Sequence, residues 1–309
     1  MSIAGSVRRA GVKVLILGAG GMLGHKVFQV LNDRFEVWAG FRDSDGPWRR
    51  NPIYQGCASV MSGLDALDFD TVARAVTELG PNVVINCIGI VKQVKEESDP
   101  ITCLMVNSVF PHRLAEICVA NRSRLVHIST DCVFSGRKGN YTEDDTPDAE
   151  DLYGRTKLLG EVTRRGCLTI RTSFFGRDFN KTDALLEWFL SHRGGMVEGF
   201  KNAIFSGFPT VVLARVIGDL VADHPGLHGV YHIASQPISK HDLLVKVRDA
   251  IRVDVEVEPV EEPRCDRSLN PARFVEATSY HLPGWDQMVA ELAADRTPYD
   301  EWRERHAII

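Results

Sequence analysis

The chain has 309 residues, of which 44% are hydrophobic and 25% charged, and its formal net charge is -5. That length accommodates one large domain or two of ordinary size, and the composition is that of a soluble globular protein. A chain with no basic excess is not a general nucleic-acid binder, and no apolar run approaches the roughly 20 residues of a membrane span.

Residues 1–11 carry Arg8 and Arg9 but no apolar signal core ahead of Lys13. A ragged tail and a cytoplasmic location are therefore expected. The seven cysteines (Cys57, Cys87, Cys103, Cys118, Cys132, Cys167 and Cys265) are scattered, with no Cys-x-x-Cys, which predicts reduced thiols over disulfides or zinc. The histidines show no His-Glu-x-x-His or similar spacing, so no metal site is expected.

Lys13 to Leu17 is almost wholly apolar, as a strand buried on both faces of a parallel sheet is. Gly18-Ala-Gly-Gly21-Met22-Leu23-Gly24 follows, then a helical apolar pattern from His25 to Asn32. Strand, glycine turn and helix form the context of a dinucleotide cradle. Gly18 makes the tight turn, Gly21 lets the backbone approach a pyrophosphate, and Gly24 lets helix and strand pack closely. The helix amides, from Met22 and Leu23 on, face the negative charge. A second strand, Glu36 to Ala39, leads to Arg42 and Asp43, where such folds read the adenosine ribose. An arginine there pairs with a 2′-phosphate and an acid accepts from a free 2′-hydroxyl. Both are present; Arg42 comes first, which favours NADP(H) over NAD(H).

Asp65 and Ala66 are expected at the sheet edge against adenine, and Asp68 caps a helix over 69–79. Val83 to Gly89 reads as another buried strand, with Cys87, Ile88 and Gly89 at the carboxyl end where ligands bind. A helix is predicted from about Pro100 to Asn121, carrying Asn107 as a buried amide that is either structural or a support for the cofactor site and, through water, the catalytic lysine. Arg124 to Ser129 is the fifth strand, and Ile128, Ser129 and Thr130 end it. A long polar loop, 132–152, delivers the chain to Tyr153. Tyr153 and Lys157 stand four apart, one helical turn, at the start of a segment read as helical from Lys157 to Arg164. A lysine ammonium beside a phenol favours the phenolate, which makes the pair a proton relay.

Together, Gly18-x-x-Gly21-x-x-Gly24, the strand ending in Thr130 and Tyr153-x-x-x-Lys157 resemble the extended short-chain dehydrogenase/reductase family. His127-Ile-Ser-Thr-Asp-Cys-Val-Phe-Ser-Gly136 and Tyr153-Gly-Arg-Thr-Lys-Leu-Leu-Gly-Glu161 are similar to segments of its dTDP-4-dehydrorhamnose reductase-like branch. Ile170-Arg-Thr172-Ser173 resembles the next strand, whose end faces the nicotinamide. The resemblance is strong to about Gly176 and thinner beyond, through Ser206–Thr210, Ser268–Phe274 and Leu282–Trp285.

It implies an α/β fold, a Rossmann-type doubly wound parallel sheet with a smaller substrate lobe. The cofactor domain would span 12–176 and about 207–236, the lobe about 177–206 and 237–309. The implied activity is NAD(P)H-dependent reduction of a 4-keto-6-deoxy nucleotide sugar. Tyr153 would protonate the alkoxide, Lys157 would lower its pKa and hold the nicotinamide ribose, and Thr130 would orient the carbonyl. Asp131 and Cys132 would meet the sugar. Cys132 replaces the tyrosine usual in the rhamnose enzymes, which removes one sugar contact. Arg177 and Lys201, with Lys181, Arg264 and Arg267, are the cations available to a diphosphate, and Trp188 and Trp285 are more simply core.

Beyond Gly176, helices are expected over 183–192, 211–224, 239–252 and 287–294, and strands over 229–233, returning to the main sheet, and over 253–260. An epimerase or dehydratase with retained NAD is disfavoured, because Cys132 offers no second acid beside Asp131. The same branch includes a non-catalytic partner, the β subunit of methionine adenosyltransferase, which keeps a regulatory role open. The partner implied is a nucleotide sugar, with neither nucleic acid nor membrane, and a homodimer stays open.

Overall fold

The strand read from the first apolar run is β1 (Lys13–Leu17), with Val14 to Leu17 fully buried in a computed structural model that describes residues 11–55, 59–91, 99–179 and 184–306. Lys181, Cys57 and the start of the helix expected from Asp183 lie outside the described residues. Helix α1 (Met22–Asn32) buries Leu23, Val27, Phe28 and Leu31, the stripe its sequence period predicts. Strand β2 (Glu36–Gly40), the short β3 (Val60–Met61), α2 (Phe69–Leu79) and β4 (Val83–Asn86) follow. Asp68 occupies the N-cap position of α2, but its side chain makes no capping bond. The other end closes conventionally, with Gly80 in the left-handed region (φ 56°) and its amide on the Val76 carbonyl.

The helix expected over 100–121 is interrupted. It starts as α3 (Pro100–Cys103), passes through a π-turn at Leu104–Val109 and continues as α4 (Phe110–Ala120). Asn107 sits in that π-turn, and its amide closes both ways on Ile90, accepting from the amide at 2.9 Å and donating to the carbonyl at 3.0 Å. Strand β5 (Arg124–Ile128) is buried at every residue. Helix α5 (Leu152–Leu159) starts five residues before the expected Lys157 and ends five before Arg164. The reason for its end is a tertiary contact: a β-carbon on Gly160 would lie 1.9 Å from the Asn107 carbonyl oxygen, so the chain must turn where it passes α3–α4.

Strand β6 (Cys167–Arg171) and the two-residue β7 (Phe174–Phe175) precede α6 (Leu185–Ser191). Next come β8 (Gly195–Phe200), β9 (Ala203–Phe205), β10 (Phe208–Pro209), α7 (Thr210–Asp223) and β11 (Gly229–His232). Seven strands form one sheet in the order β11-β6-β5-β4-β1-β2-β3. β1 is parallel to both β2 and β4, with Leu17 opposite Gly40 on one side and Asn86 on the other. The order therefore reverses between β1 and β4, and ligands of open parallel sheets bind at the carboxyl ends there. On one face Leu15, Leu17, Val72, Val76, Val84, Phe110 and Leu114 make a continuous apolar core.

The described chain divides into two compact units. One runs to Ile128 and includes Leu159–Thr169 and Ala214–Gly229; the other comprises Ser129–Leu158, Ile170–Leu213 and the chain from Val230. This division differs from the expected boundaries, because Ser129–Leu158 groups with the later part of the chain. The polar loop between β5 and α5 explains it. Tyr141 stacks on Phe134 with centroids 4.2 Å apart, its hydroxyl accepts from the Gly136 and Lys138 amides, and its own amide donates to the Ser268 carbonyl at 2.9 Å. Asp148 ties the other end by accepting from the Ser135 amide and hydroxyl. The acidic run of this loop also serves its own backbone: Asp145 accepts from the Thr142 amide.

The second unit ends in β12 (Ile238–Ser239), α8 (Lys240–Ile251), β13 (Val255–Val260), β14 (Cys265–Asp266), α9 (Ala272–Thr278), α10 (Trp285–Ala293) and α11 (Tyr299–His306). Ser239 caps α8 as its sequence suggests, accepting from the Asp242 amide at 3.0 Å. The alternation in β13 is real, but its partner is β8, parallel from Val255 opposite Gly195 to Val260 opposite Phe200. Neither β8 nor α11 was legible beforehand. Trp285 is buried and donates its indole proton to the Gln236 carbonyl at 2.8 Å, a core role. The six cysteines among the described residues are free thiols, and no described helix is long and apolar enough to cross a membrane.

Candidate active site

In the first unit the glycines do what a dinucleotide cradle asks. Gly18 adopts φ +77°, and a β-carbon there would lie 3.1 Å from the Cys87 carbonyl carbon and the Ile88 nitrogen. Gly24 is tighter still: its β-carbon would fall 2.1 Å from the Gly18 oxygen, so only glycine lets α1 approach the turn. Gly21 is the N-cap of α1 and supplies no side-chain cap, which leaves the first-turn amides of Met22, Leu23 and Gly24 without one. No acidic residue sits in that turn. A helix start with a close-packed glycine turn and no carboxylate fits a pyrophosphate.

An aromatic floor that sequence reading did not anticipate supports this turn. Phe41, directly after β2, stacks on Trp48 at 4.4 Å, and its ring lies 3.5 Å from where a Gly20 β-carbon would be. Tyr54 meets Phe41 edge-on and donates its hydroxyl to the Ala19 carbonyl at 2.6 Å. The signal was present as three aromatics after β2, but its meaning depends on a turn 35 residues away. Arg42 is 72% exposed and, among the described residues, is held by Asp43 at 3.4 Å. The Asp65 carboxylate closes a turn onto the Leu67 amide at 2.9 Å, and Ala66 is buried beside it. Cys87 and Ile88 are half-buried at the end of β4 and Gly89 is exposed; Ile88 donates to Asn86 Oδ1 at 3.0 Å.

The second unit holds the titratable group. Asp151 caps α5, accepting from the Gly154 amide at 2.7 Å, so Tyr153 lies in the first turn and Lys157, buried, one turn on. The glycine after the tyrosine has a steric reason: a β-carbon on Gly154 would lie 2.2 Å from the Cys132 carbonyl oxygen and 2.6 Å from Ala149 Cβ. That contact brings α5 against the residues that follow β5. There the pairing runs on past the strand, with the Ser129 amide on the Ile170 carbonyl at 2.7 Å and the Asp131 amide on the Thr172 carbonyl at 3.2 Å. Ser129, Thr130, Asp131, Lys157 and Thr172 are all buried. Ser173 accepts from the Phe208 amide at 2.9 Å.

Thr130 is hydrogen-bonded to Tyr153, lies 3.1 Å from Asp131 Oδ1 and accepts from the Cys132 amide at 3.1 Å. Burial pushes the Tyr153 phenol above its ordinary pKa, the Cys132 thiol and the Asp131 and Asp151 carboxylates push the same way, and the bond to Thr130 opposes them. Desolvation is the largest of these effects, and Tyr153 is a neutral phenol at physiological pH, the form that gives a proton away. Burial likewise raises the Asp131 carboxyl, against the charge of Arg267.

Among the diphosphate candidates, Arg267 is the best placed. Its Nε donates to the Phe134 carbonyl at 2.9 Å, and with Asp151 it lines a cavity of about 770 Å³ shared with Gly136, Arg137, Ile204 and Cys265. Arg264 lies on the same cavity, exposed, with Glu262 at 3.6 Å. Lys201 pairs with Glu261 at 3.5 Å on the surface. Arg177 has a different occupation. Its guanidinium binds Glu187 at 2.8 Å and also Asp300, and Glu187 in turn holds Arg303 and the Asp178 amide. Among the described residues no group of three His, Cys, Asp or Glu side chains is placed to hold a metal.

A parallel sheet with a glycine cradle at its point of reversal and a group of Thr130, Tyr153 and Lys157 define the extended short-chain dehydrogenase/reductase class. Within it, the family model described as RmlD substrate binding domain matches residues 12–295, and the chain belongs to that family. It is 29% identical over 304 residues to a dTDP-4-dehydrorhamnose reductase of Mycolicibacterium smegmatis, covering 94% of this chain and 83% of that one. It is 32% identical over 259 residues to methionine adenosyltransferase 2 subunit beta of Rattus norvegicus, covering 78% and 72%. Among solved structures it is similar to a hypothetical dTDP-4-dehydrorhamnose reductase from Sulfolobus tokodaii, with a TM-score of 0.72 and 27% identity over 89% of this chain and 98% of that one.

Proposed function

We propose that the protein is a nicotinamide-dependent reductase of a 4-keto-6-deoxy nucleotide sugar. The observation that carries this reading is the buried Thr130–Tyr153 hydrogen bond, with Tyr153 kept neutral and Lys157 one helical turn away. Neutral Tyr153 is the acid that ketone reduction needs. A bound dihydronicotinamide supplies hydride to the carbonyl carbon. As the C=O π electrons move to oxygen, Tyr153 gives its phenol proton to that oxygen and is left as a phenolate, which the Lys157 ammonium stabilises until solvent returns a proton. General acid work of this kind contributes about a hundredfold to ten-thousandfold in rate.

The first-turn amides of Met22, Leu23 and Gly24 would hold the cofactor pyrophosphate. Exposed Arg42, only loosely paired with Asp43, supports NADPH as the preferred form. Arg267 supports a diphosphate-linked substrate, because its Nε anchors it to the backbone while the rest of the fork lines a cavity of the size that takes whole ligands. The arginine that ion pairs already occupy, Arg177, is left out of the substrate set.

A second reading rests on the likeness to a methionine adenosyltransferase subunit, in which the chain would bind cofactor and another enzyme without turnover. Consumption of NADPH and NADH with dTDP-, UDP- and GDP-linked 4-keto-6-deoxy sugars, comparing wild type with Tyr153→Phe, separates the two. Turnover abolished by the substitution supports the reductase. Tight cofactor binding with no turnover on any of these sugars moves the assignment to the subunit reading.

A further inference from the structure

Thr130 has one hydroxyl proton and two lone pairs, and each has a partner. Its Oγ1 lies 3.1 Å from Asp131 Oδ1, accepts from the Cys132 amide at 3.1 Å and is bonded to Tyr153. A carboxylate can only accept. When Asp131 is ionised, Thr130 must donate to it, and Tyr153 must then donate to Thr130. When Asp131 carries a proton the chain reverses: Asp131 donates to Thr130, Thr130 donates to Tyr153, and the phenol proton is free to point at a ketone oxygen.

We infer that Asp131 is a positioning residue whose carboxyl sets the direction of the Tyr153–Thr130–Asp131 hydrogen-bond chain, and so where the phenol proton points. Asp131 is buried, with 8% of its surface exposed. The groups that face it are Thr130 and Cys132 through hydrogen bonds and Arg267 and Lys240 through charge. Those facing Tyr153 are Thr130, Cys132, Asp131 and Asp151. Burial favours the neutral carboxyl and with it the reversed chain, and the two cations favour the carboxylate. The consequence for catalysis rests on the reductase reading; the hydrogen-bond chain itself does not.

Two measurements test this. The first is the 13C resonance of the Tyr153 Cζ in protein labelled at tyrosine, identified by its loss in Tyr153→Phe. Asp131→Ala is expected to shift it in the wild-type background and not in Thr130→Val, because the effect travels through the Thr130 hydroxyl. An equal shift in both backgrounds, or none in either, overturns the inference, since a charge acting through space needs no hydroxyl. The second is kinetic. Asp131→Ala is expected to lower kcat about tenfold or more while the Kd for NADPH stays within about twofold, and Asp131→Asn, which keeps a partner for Thr130, is expected to restore most of kcat but flatten its pH profile. An Asn variant as slow as the Ala variant, or with the wild-type pH profile, also overturns it. If wild type shows no turnover, the reductase reading fails, and the resonance still decides the role of Asp131.

Discussion

Gly154 lies against Cys132 so closely that a β-carbon would stand 2.2 Å from the Cys132 carbonyl oxygen. The helix that carries Tyr153 and Lys157 is thereby seated directly on the segment that carries Thr130 and Asp131. Gly154→Ala must push the two apart, and overpacking of this kind costs about 1–3 kcal/mol. The variant is expected to melt at a lower temperature and to lose reductase turnover more than cofactor affinity. Calorimetry together with NADPH titration checks it; wild-type turnover in the variant would show that the contact does not set the catalytic geometry.

Arg42 is an exposed cation directly after β2, tied among the described residues to Asp43 at 3.4 Å. If it receives the 2′-phosphate, Arg42→Ala should weaken NADPH about tenfold, the value of one charge-assisted hydrogen bond. Binding of NADH should change by less than about twofold. Parallel fluorescence titrations with the two cofactors give the ratio, and an equal effect on both would remove Arg42 from the selection of cofactor.

His232 reports on the stability of the second unit. It is fully buried; its Nδ1 donates to the Tyr141 carbonyl at 2.9 Å, which leaves Nε2 to accept from Arg171 at 3.2 Å. Burial first, and the Arg171 charge second, lower its pKa from 6.5 to about 3. The unfolded chain therefore binds a proton that the folded one refuses. The stability contributed by the neutral ring is whole above about pH 6.5 and is lost as the pH falls toward about 3. Denaturant unfolding between pH 7 and pH 4.5 should show a slope of about 1.4 kcal/mol per pH unit from this residue, missing in His232→Asn. An unchanged slope in the variant would assign the acid sensitivity to other groups.

Glu187 is nearly inaccessible and holds Arg177, Arg303 and the Asp178 amide together. Removing one partner of a buried ion cluster strands the others, at about 3 kcal/mol. Glu187→Ala should reduce stability by that order and leave the KM for a nucleotide sugar close to wild type, since Arg177 serves the fold. Chemical denaturation and steady-state kinetics decide; a raised KM with unchanged stability would return Arg177 to the substrate site.

The sequence by itself determined the elements whose signal is local. β1 and β4 are almost continuous apolar runs because both faces of the central sheet are buried, and Val14 to Leu17, Val84 and Ile85 are at 0% exposure. The glycine turn was legible from spacing, since a steric requirement such as that of Gly24 excludes every other side chain. Tyr153 and Lys157 were legible because the helical repeat places them on one face, and Ser239 because a cap acts within three residues. The tertiary structure decided everything that depends on a distant partner. Helix α5 ends where Gly160 meets Asn107, 53 positions earlier in the chain. Arg177 is paired with Asp300, 123 residues away. The role of Asp131 followed from its burial beside Thr130 and its facing Arg267, and the Tyr153 phenol is raised by desolvation, a property of the packed surroundings. Local sequence fixes dihedral preference and periodicity; the partner of a charge and the dielectric around a phenol are set only when remote segments pack.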